Sequence, residues 1–422
     1  MMNISWRIPS DLELKILKNI QMKKVALLAL LCIAMSIVAQ KESQWRGANR
    51  DGIYSETGLL KSWSAQGPVK LWLHEGLGEG YSSASVANGK IYVTGMIDSI
   101  GYISVLDLNG KLLNKVKYGK EWTKSYPGTR GSVTVNDGCL YVVAGTGRVV
   151  CFDENTLKVL WKKDFKSNFN TQIVMWGIAE SSLIEGNTLI IVPGSDDASM
   201  VALNKKTGDV LWKSKADLGN TSYNSPMLVK GHGDPMVVVM GGKYTVGVDL
   251  ATGKERFSFP YENNRKIHPN TPLYDDGYLL LNNGYGYGSV MLKIAPDGNS
   301  VKEIWKKAEY DNQMGGFVKI GDYVYCSGHN NKYWFCFDWK TGVEKYRDKT
   351  FAPGNIISAD GLLYIYTDKG ELALVKPNPA KFDLISQTKV TDGTNQHWAH
   401  LVIANKVLYV RHGDALIAYS LK

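Results

Sequence analysis

Adjacent cysteines are absent from this sequence, and the five cysteines it has (Cys32, Cys139, Cys151, Cys326 and Cys336) never fall at the C-x-x-C spacing of a metal or redox site. No apolar run reaches the roughly 20 residues of a membrane-spanning helix; the longest, Val25 to Val38, has 14. Long basic runs are missing as well. The net charge of +9 is dispersed as single lysines and Lys-Lys pairs over turns, without the stripe that tracks a phosphate backbone, and this excludes nucleic acid as a partner. With 44% hydrophobic and 21% charged residues, the composition is that of a folded globular chain and excludes disorder and collagen-like repeats. One conventional core stops growing near roughly 250–300 residues, so 422 residues demand either two domains or growth by repetition.

The beginning of the chain reads as an export signal. Met22-Lys23-Lys24 precedes the apolar run, and Ala39-Gln40 follows it, which is the charged start, apolar middle and small residue of a secretory signal peptide over 22–39. Residues 1–21 read as an upstream extension, with translation expected to begin at Met22. Cys32 lies within the run after Leu30-Leu31, which argues against a lipid anchor. Cleavage removes five basic and two acidic groups and leaves +6. The mature product is expected to be periplasmic or extracellular, with no integral membrane segment, and monomeric.

From residue 80 onward one pattern repeats. Eight segments, among them Gly89-Lys-Ile-Tyr92-Val, Gly138-Cys-Leu-Tyr141-Val and Asn405-Lys-Val-Leu-Tyr409, have a turn residue followed by an apolar strand that in six of them bears an aromatic. Ile91 to Val407 spans 316 positions in seven steps, about 45 per step, the period of a propeller blade. A later turn carries Asp or Asn and, in most repeats, then Gly, as in Asp107-Leu-Asn-Gly110, Asn204-Lys-Lys-Thr-Gly208 and Asp338-Trp-Lys-Thr-Gly342, with Asp153-Glu-Asn-Thr156 lacking the glycine. The side-chain oxygen caps the turn's N–H groups and the glycine supplies its positive φ. An aromatic follows: Trp161, Trp212, Phe257, Trp305 and Tyr346. The last repeat stops after its third strand, at Lys422, and Val69 to Glu75, with Trp72, has the alternation of the missing fourth. The expected fold is therefore all-β: an eight-bladed β-propeller of four-stranded antiparallel blades over 67–422, preceded by a lead-in over 40–66 and closed by an N-terminal strand joining the last blade. Cys151 and Cys336 sit where other repeats have Ala202 and Ala418, so small buried side chains account for them; cross-strand disulfides are the alternative in an oxidising compartment.

The repeat resembles that of the pyrroloquinoline-quinone-like (PQQ-like) β-propellers, a group that includes quinoprotein alcohol dehydrogenases and the outer-membrane assembly scaffold BamB. The lead-in Trp45-Arg46-Gly47-Ala-Asn-Arg50-Asp51-Gly52, with Tyr126-Pro-Gly-Thr-Arg130-Gly131 and Trp176-Gly177-Ile-Ala-Glu180-Ser181, is similar to exported bacterial members. The resemblance covers nearly all of the mature chain and is specific for fold more than for activity.

In a propeller the segments leading into the innermost strands meet at the channel mouth. They carry the candidate ligand-binding residues Arg130, Trp176, Glu180, Asn224, His268, Asn270, Asn355, His397, Trp398 and His400. Indoles supply stacking faces and amides supply hydrogen bonds to a polar ring or sugar; a hydrated funnel would need polar lining in any case. His397 and His400 at i and i+3 on a strand face opposite ways and do not make a metal site. Gly284-Tyr-Gly-Tyr-Gly288 reads as a glycine-rich hairpin. The resemblance implies a quinone held over calcium by Glu, Asn and Asp beside adjacent cysteines. Glu180 and Asn224 could stand for two of those ligands, but no Asp occupies a comparable segment and adjacent cysteines are missing. The expectation is a non-catalytic module that recognises a protein or glycan, with no cofactor; the alternatives are a PQQ- and calcium-dependent dehydrogenase of alcohols or sugars, and a BamB-like assembly scaffold.

Overall fold

Each repeat folds into four consecutive antiparallel strands, as blade two shows with Thr134–Asn136, Cys139–Val143, Arg148–Asp153 and Val159–Asp164. The middle strands are buried on both faces and read as continuous apolar runs, whereas the outermost strand exposes Val159 and Leu160 and buries Trp161. The structure, a computed structural model, describes residues 42–422. The predicted upstream extension (1–21) and signal peptide (22–39) lie outside the described residues. Eight such sheets run in chain order: 85–120, 134–164, 183–214, 227–260, 273–307, 318–348, 354–389, and 402–420 with Lys70–His74. The hydrophobic core is divided among the junctions between neighbouring blades; one cluster, for example, joins Tyr141 and Cys151 of blade two to Leu189 and Val201 of blade three.

The ring closes as expected. Lys70–His74 pairs antiparallel with Ala415–Ser420, and Trp72 lies opposite Ala418. All eight blades carry a register shift between the third and fourth strands, at Val159/Trp161, Ala202/Leu203 and Lys70/Trp72 among others, a bulge that strengthens the twist of the outer strand. The closing strand therefore has the geometry of any other fourth strand. Its aromatic does the same work too. Trp72 donates its indole N–H to Leu108 O at 3.0 Å, Trp161 to Lys205 O at 2.9 Å and Trp212 to Leu250 O at 2.9 Å, each on the next blade. The rings lie on the turn glycines Gly110, Gly208 and Gly253, where a Cβ would come within 2.6, 2.7 and 2.4 Å of them. The repeated turn glycine and the repeated tryptophan are thus the two halves of one contact between blades.

The four cysteines among the described residues are free and buried. Cys139 and Cys151 share the junction of blades two and three, while Cys326 and Cys336 face different junctions.

The lead-in departs from a simple approach to the ring: it enters the channel. Ser43 bridges Val135 on the inner strand of blade two, and Ile53–Tyr54 pairs parallel with Ser358–Ala359 on the inner strand of blade seven, extending that sheet toward the axis. Between them, Arg46 donates to Phe317 O at 2.7 Å, Ile356 O at 3.3 Å, Gly315 O at 3.4 Å and His400 Nδ1 at 2.9 Å. Arg50 donates to Ser181 O at 2.5 Å and Ser182 O at 3.4 Å. Both guanidiniums are buried, and burial lowers each pKa to about 10. The chain then leaves along the turns of blades seven and eight, where Asp360 accepts from Leu59 N and Glu56 accepts from Asn405 N and Lys406 N. Residues 43–54 form a plug pinned to five blades.

Candidate functional site at the channel mouth

Two layers separate at the mouth. The deeper layer is a belt of side chains that ties each blade to the next. Ser132 Oγ accepts from Ser83 N, Ser181 Oγ from Ser132 N, Ser225 Oγ from Ser181 N and Thr271 Oγ1 from Ser225 N, at 2.9–3.2 Å. Beside it, Asn224 Nδ2 donates to His268 O at 2.9 Å, Asn270 Nδ2 to Asn312 O at 2.9 Å and Asn355 Nδ2 to Ala399 O at 3.1 Å, each reaching the following blade. Asn224 Oδ1 accepts from Met240 N and Asn270 Oδ1 from Gly316 N. Glu180, 1% exposed, accepts from Val192 N at 3.1 Å; burial raises its pKa to about 8, against opposing pulls from that hydrogen bond and from Arg50. His268 is buried against Tyr261, and burial lowers its pKa to about 3.

The upper layer surrounds a cavity of about 530 Å³. Its walls are mostly aromatic: Trp45 from the plug, Trp176 and Trp398, with Tyr81, Tyr126, Tyr223 and Tyr285. Trp176 packs on Tyr223 at 5.8 Å, and Trp398 on Tyr126 at 4.9 Å and on Tyr81 at 5.1 Å. Its charges are the cations Arg130 and Arg265; among the described residues no aspartate or glutamate lines it. Arg130 donates to Gly128 O, Ser125 O and Tyr126 O at 2.6–3.0 Å, so it braces the loop that presents Tyr126. Burial lowers its pKa, opposed by Glu121. Arg265 lies over the Tyr285 ring at 5.2 Å.

His400 lies at the base of this cavity with its tautomer fixed. Its Nδ1 must accept from Arg46, so the proton sits on Nε2 and is donated to Met314 O at 2.9 Å. Burial and the Arg46 charge lower its pKa to about 3. His397 turns the other way, with Nδ1 2.5 Å from Tyr366 Oη and its ring stacked on His412 at 3.6 Å. Burial, then His412, lowers its pKa to about 4.

The structure thus brings Arg130, Trp176, Trp398 and His400 together around the main cavity. Asn355, His397 and Trp398 border a neighbouring cavity, and Glu180, Asn224, His268 and Asn270 lie in neither lining. Trp45, Tyr285, Arg265 and His329, absent from the expected set, do line the main cavity. The Tyr-Gly-Tyr hairpin was legible as a loop, but not as a wall of the site.

A metal-held quinone requires ligands that reach into the mouth. Glu180 and Asn224 do not fit that role, since their polar atoms are engaged by backbone groups below it. Among the described residues, no three His, Cys, Asp or Glu side chains gather into a candidate metal site.

Comparison with known proteins corrects one expectation, the absence of a cofactor. Over 137 residues (31% of this chain, 22% of the relative) the sequence is 31% identical to a quinoprotein ethanol dehydrogenase of Pseudomonas aeruginosa. Over 122 residues (28% and 20%) it is 30% identical to the quinoprotein alcohol dehydrogenase PedH of Pseudomonas putida. Relatives that carry a quinone in their names make a quinone a ligand to be considered, so the expectation of none does not stand. The chain spans about a fifth of the length of these curated relatives. In fold it is similar to BamB from Moraxella catarrhalis, with a TM-score of 0.62 at 13% identity, covering 84% of this chain and 100% of that one. It is equally similar to a europium-containing methanol dehydrogenase, with a TM-score of 0.62 at 12% identity, covering 89% and 90%. Residues 99–342 match the PQQ-repeat family described as outer membrane protein assembly factor BamB, and the chain belongs to that family of β-propellers.

Proposed function

We propose that the protein is an exported binding propeller whose channel mouth takes a negatively charged, ring-bearing ligand. One observation carries this reading: three indoles, four phenols and two guanidiniums surround a cavity of about 530 Å³ with no carboxylate among the described lining residues. Aromatic faces favour a ring, and cations in a lining without a carboxylate favour an anion. The polar groups best suited to proton transfer are already engaged, Glu180 in the inter-blade belt and His400, at the base of the cavity, between Arg46 and Met314, so the reading assigns binding and no reaction step. Export rests on the sequence pattern of residues 22–39.

The curated relatives favour a second reading, a quinone ring in the same mouth. The aromatic and cationic walls suit a flat polyanion, while Glu180 and Asn224 do not supply its metal ligands. The family's description as an assembly factor supports a protein partner at a coarser level. Calorimetry on the mature chain with acidic saccharides, and separately with pyrroloquinoline quinone plus calcium, tests both readings. Trp176, half-buried against Tyr223, is the variant of choice. Trp176→Ala is expected to weaken whichever ligand binds by tenfold or more while costing about 1 kcal/mol of stability. Unchanged affinity in that variant would remove the mouth as the site.

A further inference from the structure

The main cavity has a neighbour. A second cavity of about 300 Å³ lies toward blades six and seven, and Gln313, Met314, His329 and Trp398 line both. Its walls differ in kind: Trp398 is the one Trp, Tyr or Phe in its lining, beside Gly315, Gly328 and Gly354, where three indoles and four phenols line the main cavity. Two cations, Lys332 and Lys369, border it, and neither ammonium has an ion pair or ring contact among the described residues. Lysines elsewhere are often matched, as Lys61 is to Asp360, Lys70 to Asp392 and Lys230 to Glu185. The one carboxylate here, Asp368, faces both ammoniums without an ion-pair contact; burial raises its pKa, against the opposing charges of Lys369 and Lys332.

A second observation is independent of charge. Asn224, Asn270 and Asn355 hold equivalent positions in the inter-blade belt, and the first two use their Oδ1 as backbone acceptors. Asn355, 3% exposed, borders the second cavity with its Oδ1 buried and unpartnered. A buried acceptor without a donor costs about 1–3 kcal/mol, and a ligand hydroxyl would supply that donor.

Resting on the anionic-ring reading above, we infer that the mouth ligand is an acidic oligosaccharide of at least two units. One sugar ring stacks in the aromatic cavity, the chain passes Gln313 and Trp398, and the next unit places a carboxylate by Lys332 and Lys369 and a hydroxyl toward Asn355. The apolar C–H face of a sugar ring carries the positive polarisation that an indole face attracts. A peptide in extended form would instead dock by main-chain pairing to a free strand edge. On blade seven, beside this cavity, the inner edge is already covered by Ile53–Tyr54.

The test is calorimetry on the mature chain with galacturonic acid, its trimer, neutral maltotriose, an acidic hexapeptide and pyrroloquinoline quinone with calcium. The trimer is expected to bind at least tenfold tighter than the monomer and than maltotriose, and Lys332→Ala with Lys369→Ala to bring the trimer down to the monomer's affinity. Both lysines are exposed, so the double variant should keep the wild-type melting temperature. Equal affinity for monomer and trimer, or no effect of the double variant, would overturn the inference and leave the anionic-ring reading standing. Binding of the quinone or the peptide alone would replace the saccharide as the ligand class. If none of the probes binds, the reading of the mouth itself falls.

Discussion

Arg46 is the residue on which the plug depends most, and replacing it with methionine has a calculable consequence. The guanidinium is 4% exposed and donates to the carbonyls of Gly315, Phe317 and Ile356, to Asp51 O and to His400 Nδ1. Lowering its pKa from 12.5 to about 10 corresponds to about 3 kcal/mol of unfavourable burial, at about 1.4 kcal/mol per unit. Hydrogen bonds from a charged donor return roughly 1.5–3 kcal/mol each, and two of these five, to Phe317 O at 2.7 Å and His400 Nδ1 at 2.9 Å, are short enough to count. Truncation also strands the carbonyls of two blades and leaves His400 Nδ1 without a donor. The net loss is about 3–5 kcal/mol, as for removing one member of a buried polar set. It should fall on the plug, because the blades retain their own pairing and inter-blade cores. Hydrogen exchange followed by mass spectrometry should show protection across residues 43–54 falling by about 150- to 5,000-fold while the inner strands of blades three to five keep theirs. Arg46→Lys should lose nearly as much, since an ammonium keeps the charge but cannot reach the same set of acceptors. Unchanged protection over 43–54, or an equal loss across every blade, would refute the description of the segment as a separately anchored plug.

Two further outcomes follow from the same geometry. Burial holds the Glu180 carboxyl protonated up to about 8 against an ordinary value of 4.5; because its folded pKa is raised, the stability it allows is present below about pH 4.5 and is lost as pH rises through about 8, by an amount of order 5 kcal/mol. Glu180→Gln should therefore flatten the fall in urea midpoint between pH 5 and pH 9, and an unaltered slope would count against that protonation. Trp72→Ala removes the ring over Gly110 and the indole bond to Leu108 O, and should cost about 2–4 kcal/mol, comparable to Trp161→Ala; a harmless Trp72→Ala beside a costly Trp161→Ala would deny the closing strand its role.

The ring was readable in the sequence because its determinants are local and repeated. The Asp or Asn turn cap, the turn glycine and the following aromatic each recur within one blade, and their count and spacing fix eight sheets. The missing fourth strand was legible for the same reason: an incomplete last repeat leaves an unpaired edge on Ala415–Ser420, and Val69 to Glu75 has the matching alternation. What the pattern did not show was that the tryptophan of one blade and the glycine of the next are partners. They recur at the same period, and periodicity alone cannot say whether two features meet within a blade or across a junction.

The mouth was harder to read, and the reason is directional. A polar side chain beside an inner strand can aim up into the cavity or down into the inter-blade belt, and the two choices look alike in sequence. Asn224 and Asn270 aim down because an amide can donate to the carbonyl of the next blade and accept from a backbone N–H together, which satisfies a buried site completely. Trp176 and Trp398 stay up, where an indole's large face packs on Tyr223 and on Tyr81 and Tyr126; with its single donor it cannot both donate and accept as the belt amides do. The plug lay beyond reach for a different reason. Gly316 must lack a side chain because a Cβ there would stand 2.4 Å from the Arg46 guanidinium, and Gly52 because one would stand 2.3 Å from it. Gly316 is 270 positions from Arg46, outside any repeat. A motif such as Trp45-Arg46-Gly47 therefore looks like a surface lead-in until the ring supplies the carbonyls it donates to, and it is the closed ring, by gathering Gly315, Phe317 and Ile356 around one axis, that turns a buried arginine from an unpaired charge into the anchor of the mouth's floor.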